Sequence, residues 1–279
     1  MQVELEDVRC YYELLGTGSP LLMIPGLGST TATWDCISAD LADSFTLIMP
    51  ELRGVNRSIA KRQPHRISHL VSDLIELLDY LQVDRAHVLG LSLGGIIAQR
   101  LAIDHPSRVD RLVLVSSGHR FSPYTVQMMT LLGQALRHFP REQYERLIEL
   151  LGMSPQYLDA NPTAIEDKIR RKQHNGATRR AIARQLRCVA ADGVGSGAYD
   201  ISAPTLILSG ALDSIIPSCY AEAMAREIPN SQLEIISPCG HNPLVEKPQL
   251  VLPKIKKFLG GALMQKNQDE FQLPIEELV

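Results

Sequence analysis

The feature that most constrains this chain is the alternation of short, unbroken apolar runs with helix-patterned segments. Leu21 to Ile24, Phe45 to Met49, Ala86 to Leu91, Leu112 to Val115, Thr205 to Leu208 and Leu233 to Ile236 are each bounded by turn residues. A strand with no polar alternation buries both faces, as in a parallel sheet covered on both sides. Between the runs lie amphipathic patterns, clearest at Leu70, Leu74, Leu77, Leu78 and Leu81, which share one face of a 3.6-residue period. Together they predict an α/β fold with a mostly parallel central sheet and helices on both faces. Val3 to Val8 and Cys10 to Leu15, closed by the Gly16-Thr17-Gly18-Ser19-Pro20 turn cluster, predict an antiparallel N-terminal hairpin.

The alternation stops once. From Arg120 to Asp200 no strand pattern occurs, whereas Val126 to His138, Arg141 to Leu151, Thr163 to Gln173 and Thr178 to Ala191 are helix-like and separated by Pro, Asn and Gly. A helical cap inserted at 119–200 between two parts of one core, 1–118 and 201–262, is therefore expected, with 263–279 as a polar, acidic tail. The length of 279 residues suits one large domain with an insertion better than two unrelated domains. With 45% hydrophobic and 21% charged residues, the chain has enough apolar surface to bury a core.

A net charge of −3 argues against a nucleic-acid partner, since a phosphate-backbone binder carries a basic excess. Residues Met1 to Asp7 are acidic without an apolar signal core, and no run approaches the roughly 20 residues of a membrane span. A cytoplasmic protein that binds no membrane is expected. The five cysteines, Cys10, Cys36, Cys188, Cys219 and Cys239, are scattered without a CxxC pair, so they read as small buried apolar residues. Neither a metal site nor a phosphate loop is indicated: Gly26-Leu27-Gly28 lacks the third glycine and the P-loop lysine. No cofactor is expected.

Gly90-Leu91-Ser92-Leu93-Gly94 matches G-x-S-x-G, a pattern that chance supplies roughly 0.1 times in a chain of this length. Its setting adds weight, because Ala86 to Leu91 reads as a strand and Gly95 to Ala102 as a helix that starts at once. On such a tight turn the serine hydroxyl projects from the end of the sheet, and the flanking glycines let strand and helix approach. Here the chain resembles the α/β-hydrolase family, over roughly Val3 to Phe258.

In that family the acid follows a later strand and the histidine comes last. The resemblance therefore implies Ser92 as nucleophile, Asp213 as acid and His241 as base. Asp213 closes Pro204 to Asp213 and, with Pro217, fits G-x-x-D-x-x-x-P; His241 ends Ser237-Pro238-Cys239-Gly240-His241, with Glu246 and Pro248 following in the family pattern. It also implies an oxyanion hole from the backbone N–H groups of Leu27 and Leu93. Two departures stand out: Pro25 replaces the usual His before the oxyanion loop, and Glu51 and Asn56 replace Asp and Gly in the D-x-R-G-x-G-x-S turn. Asn tolerates a left-handed conformation, so that turn is expected to survive.

Trp34, His119 and Met128 are the candidate pocket residues, with Met129, Leu131, Leu132, Leu136 and Phe139 as further roofing. His87, mid-strand, reads as a hydrogen-bonded core histidine. The resemblance implies a cofactor-free serine hydrolase cleaving a small-molecule carboxylic ester through an acyl-enzyme. Thioester, lactone and carbon–carbon hydrolysis, perhydrolysis and a non-catalytic ligand receptor remain alternatives, because one triad serves all these relatives. The insertion carries twelve basic against eight acidic residues, which read as a solvated helical face or as a field that steers an anionic substrate. The sequence does not set the oligomeric state.

Overall fold

The structure is a computed structural model and describes residues 1–61, 66–119, 122–175, 177–192 and 198–260. The expected tail, His65 and Arg120 lie outside the described residues. The apolar runs form strands β1 Gln2–Glu4, β2 Val8–Leu15, β3 Ser19–Ile24, β4 Phe45–Pro50, β5 Ile59–Ala60, β6 Ala86–Leu91, β7 Val109–Val115, β8 Thr205–Gly210 and β9 Ser231–Ile236. They make one nine-stranded sheet in the order β1-β2-β4-β3-β6-β7-β8-β9, with β5 on β2. Every pair from β4–β3 to β8–β9 is parallel, and β2 is antiparallel to β1, β4 and β5.

The α/β fold and the antiparallel N-terminal strands are thus as expected, with two shifts. The first turn falls at residues 5–7, where Leu5 N–H donates to Val8 O at 2.9 Å, because Glu6 and Asp7 are poor strand residues. Strand β9 is an edge strand, half exposed along most of its length rather than buried on both faces.

Successive strand residues point to opposite faces. One face of the sheet carries Leu22, Ile24, Ile48, Val88, Leu112 and Leu114 against α2 (Ile67–Tyr80) and α3 (Leu93–Asp104). The predicted stripe Leu70, Leu74, Leu77, Leu78 and Leu81 is buried there. The other face carries Leu21, Met23, Leu47, Met49, Leu89 and Val113 against α1 (Ser38–Ala42) and α11 (Pro248–Gly260), joined by Trp34 and Ile37.

Between β7 and β8 lie α4 (Pro123–His138), α5 (Arg141–Gly152), α6 (Pro155–Ala160), α7 (Pro162–Asn175) and α8 (Arg179–Asp192). Serines open two of them: Ser122 Oγ accepts Thr125 N–H at 3.3 Å and Ser154 Oγ accepts Tyr157 N–H at 3.2 Å, as N-caps do. Helix α4 packs on α8, α5 on α7, and α8 reaches α2. The remaining α-helices are α9 (Ser218–Glu227) and α10 (Pro243–Glu246). Among the described residues no helix is long and apolar enough to cross a membrane.

His87 on β6 is buried, edge-on to Phe45, with Nδ1 3.2 Å from Asp110 Oδ2. Burial pushes its pKa down to about 4, against the opposing pull of Asp110. The unfolded chain takes up this proton near pH 6.5, the folded one near 4, so the neutral ring stabilises the fold above 6.5. That contribution is lost as pH falls through the window. Thermal unfolding of His87→Phe between pH 7 and 4 is expected to show a shallower acid loss of Tm than the parent chain.

Candidate active site

Ser92 sits at the turn between β6 and α3 with φ 55° and ψ −114°, outside the regions favoured by L-residues. The surrounding structure holds it there. Ser92 N–H donates to Val115 O at 2.8 Å, and Ser117 Oγ donates to Ser92 O at 3.0 Å. A Cβ at position 94 would stand 1.9 Å from Ile24 O, which is why the helix can start against β3 only with glycine there.

Asp213 lies just beyond β8. Its Oδ1 accepts the N–H groups of Ile215 at 2.9 Å and Ile216 at 2.8 Å, leaving Oδ2 for His241 Nδ1 at 2.7 Å. His241 Nε2 stands 2.9 Å from Ser92 Oγ. The loops after β8 and β9 are stitched by Ala211 N–H to Ile236 O at 2.9 Å and Leu212 N–H to Cys239 O at 2.8 Å. A Cβ at Gly210 would meet Gly240 O at 1.9 Å, so this close passage also requires glycine.

Glu246 completes the histidine loop. Its Oε1 accepts Gly240 N–H at 2.8 Å and Ser154 N–H at 3.1 Å, and its Oε2 bonds Ser154 Oγ. His241 N–H donates to Gly152 O at 2.8 Å, tying the end of α5 to the histidine. The sequence pattern marked Glu246 without marking this partnership, which joins segments 92 positions apart.

Leu93 is the first residue of α3, so its N–H has no carbonyl four residues back in that helix. Gly26, Leu27 and Gly28 line the same cavity as Ser92 and Leu93, with the Cβ position of Gly26 3.5 Å from Ser92 Cβ. With Pro25 in place of the usual histidine, buried Gln185 on α8 braces the loop by accepting Gly28 N–H at 2.7 Å. The second departure is also accommodated. Asn56 takes φ 43°, and Glu51 accepts Arg57 N–H at 2.8 Å and Asn56 Nδ2 at 3.2 Å.

Ser92 and His241 open on a cavity of about 180 Å³ bounded by the Gly26-Leu27-Gly28 loop, Ile215, Ile216 and the inner faces of α4, α5, α7 and α8. The three candidate pocket residues lie elsewhere. Trp34 is 0% exposed in the core on the α1 and α11 side of the sheet. His119 is buried with Nε2 3.0 Å from Glu227 Oε2, joining the β7 exit to the end of α9. Met128 is one residue out of helical phase: Thr125, Met129 and Leu132 form the lining stripe of α4. Leu131 and Phe139 are exposed, and Leu136 is core.

What sequence reasoning missed is the α5 stripe of Arg141, Tyr144, Glu145, Ile148 and Glu149, together with Lys168 and Lys172 of α7. Their spacing was visible, but charges at helical spacing ordinarily mark a solvated face. Cys10, Cys188 and Cys239 are buried as expected, while Cys36 and Cys219 are exposed. Cys239, two residues from His241, is held as a neutral thiol, its pKa pushed up to about 12 by burial and then by Glu246. Among the described residues no group of three His, Cys, Asp or Glu side chains could hold a metal ion.

The sequence matches the family described as alpha/beta hydrolase fold over residues 19–248. A relative named "Putative carbamate hydrolase RutD" from Azorhizobium caulinodans is 28% identical over 228 residues, covering 81% of this chain and 86% of that protein. A pimeloyl-[acyl-carrier protein] methyl ester esterase from Aeromonas hydrophila is 25% identical, covering 89% and 98%. Among solved structures, a thermophilic esterase from Thermogutta terrifontis superposes with a TM-score of 0.83 at 27% identity, covering 93% of this chain and 98% of that one. With a glycine-flanked serine on the turn between β6 and α3 and a family match across most of its length, the chain belongs to the α/β-hydrolase fold family and is a hydrolase.

Proposed function

We propose that this hydrolase cleaves carboxylic esters through an acyl-enzyme on Ser92. The observation that carries the reading is the unbroken relay from Ser92 Oγ to His241 Nε2 at 2.9 Å and from His241 Nδ1 to Asp213 Oδ2 at 2.7 Å, on a strained turn facing a cavity. His241 takes the Ser92 proton as Oγ bonds to the carbonyl carbon, and the carbonyl electron pair moves to oxygen. The N–H groups of Leu27 and Leu93 receive that oxyanion, an effect worth about 3 kcal/mol per donor in comparable sites. On collapse the alkoxide leaves with the proton carried by His241. Water then enters, gives a proton to His241 and attacks the acyl carbon; as the acyl bond to Ser92 Oγ breaks, His241 returns that proton to Oγ, releasing the acid and restoring Ser92.

Asp213 stays ionised and holds the imidazole with Nδ1–H toward it, so that Nε2 keeps the lone pair the serine proton needs. The helices 123–192 act as a cap whose inner faces wall the acyl and alcohol pockets. Carbamate cleavage is the second reading, favoured by the name of the Azorhizobium relative, and uses the same relay. Turnover of a panel of aryl esters, aryl carbamates, acyl thioesters and lactones by the parent chain and by Ser92→Ala distinguishes them. Esters are expected to be cleaved at least tenfold faster than matched carbamates, and only by the parent. Faster carbamate cleavage overturns the substrate assignment, and equal activity in Ser92→Ala overturns the mechanism.

A further inference from the structure

The wall of the cavity opposite the sheet is charged in a way that the hydrolytic relay does not use. Helix α5 starts that wall at Gly152, whose carbonyl holds the His241 N–H, and runs outward from there. At 1.5 Å per residue Glu149, Glu145 and Arg141 stand about 4.5, 10 and 16 Å along it. Lys168 and Lys172 face the same space from α7.

Lys168 Nζ and Lys172 Nζ each donate at 2.8 Å to one oxygen of Glu149. Arg141 Nη2 lies 2.7 Å from Glu145 Oε1, and Lys172 reaches Glu145 at 3.7 Å. Both carboxylates are buried, so among the described residues that line this wall three cations share two anions and one positive charge is left over. Arg141 Nε is buried with no hydrogen-bond partner among the described residues.

Much of the remaining lining is apolar, with Met129, Leu132, Ile182 and Leu186 across from the charges. An excess charge beside such a surface is costly unless an anion joins it. Burial, and then the neighbouring Lys172 charge, lower the Lys168 pKa despite Glu149, a penalty that an incoming anion relieves. An excess of one charge matches a carboxylate rather than a phosphate dianion.

Resting on the serine-hydrolase reading, we propose that the preferred substrates are esters bearing a carboxylate a few carbons from the scissile carbonyl. Arg141, Lys168 and Lys172 are then the specificity-determining residues. The surplus cation on the cavity wall selects charge, while the apolar surface opposite fixes the chain between the two ends.

Two isosteric pairs test this, since in each a carboxylate replaces a terminal methyl: mono-p-nitrophenyl adipate with p-nitrophenyl hexanoate on the acyl side, and 6-acetoxyhexanoate with hexyl acetate on the alcohol side. At low salt kcat/KM is expected to favour the charged member of at least one pair by tenfold or more. The ratio should fall toward one in 0.5 M NaCl and in Arg141→Leu or Lys168→Met, whereas the parent ratio and its salt response need no variant to fold. Ratios at or below one for both pairs, with Ser92-dependent cleavage of the neutral esters, overturn this inference and leave the hydrolase reading standing. A preference that neither salt nor either substitution reduces also overturns it. No turnover of any of the four, with no fluorophosphonate labelling of Ser92, overturns both.

Discussion

Asp213→Asn is expected to fold normally and to lose roughly 10⁴ in kcat on an aryl ester, the loss seen when a triad carboxylate becomes an amide. The local bonds dictate the sign. Asp213 Oδ1 accepts two backbone N–H groups, from Ile215 and Ile216, so the asparagine carbonyl oxygen must stay at that position. An amide nitrogen placed there would face two donors. The NH₂ group is thereby turned toward His241 and donates to Nδ1, which puts the imidazole proton on Nε2 and removes the lone pair that faces Ser92. Circular dichroism and Tm close to the parent, with kcat reduced by three to four orders of magnitude, is the predicted outcome. Near-full activity would mean that another carboxylate orients His241 or that the relay is not used.

Glu246→Leu carries the largest expected cost in stability. The substitution leaves Gly240 N–H, Ser154 N–H and Ser154 Oγ without their acceptor in a buried site. Each orphaned donor costs about 1–3 kcal/mol, so the unfolding free energy is expected to drop by roughly 3 kcal/mol or more. Activity is expected to fall with it, since Gly240 precedes His241 and Ser154, the N-cap of α6, follows the cavity-lining Met153. Glu246→Gln separates charge from shape. One carbonyl oxygen can serve Gly240 and Ser154 N–H but the amide then donates to Ser154 Oγ, which can accept, so an intermediate loss is predicted. Urea midpoints and kcat/KM measured on both variants check the order parent, Gln, Leu.

The parts of this molecule governed by short-range pattern were legible in the sequence. Unbroken apolar runs gave buried parallel strands because Leu21 to Ile24 of β3 and the whole of β4 and β6 are buried on both faces. Gly90, Ser92 and Gly94 could be read because the turn has one steric solution, which is written in small residues. The position of Trp34 was not legible. A single aromatic after the Gly26-Leu27-Gly28 loop can turn toward either layer of the sheet, and the packing of α1 and α11 decides for the layer away from the cavity.

Met128 failed for a related reason: the residue type was right for a pocket, but the phase of α4 is set by its contact with α8 and places Met129 inward instead. The Gln185 brace and the Lys168–Glu149–Lys172 bridge were beyond sequence pattern altogether. Each joins residues far apart in the chain, and a charged residue at helical spacing looks the same whether its helix faces water or a cavity.

The central claim is that Ser92 is a nucleophile activated by His241, and intact-mass measurement after brief exposure to a fluorophosphonate tests it most directly. A single adduct is predicted on the parent chain, mapped by peptide mass to Ser92, with no adduct on Ser92→Ala and slow labelling of His241→Ala. Labelling of Ser92→Ala at the parent's rate, or an adduct located at any other residue, would contradict it.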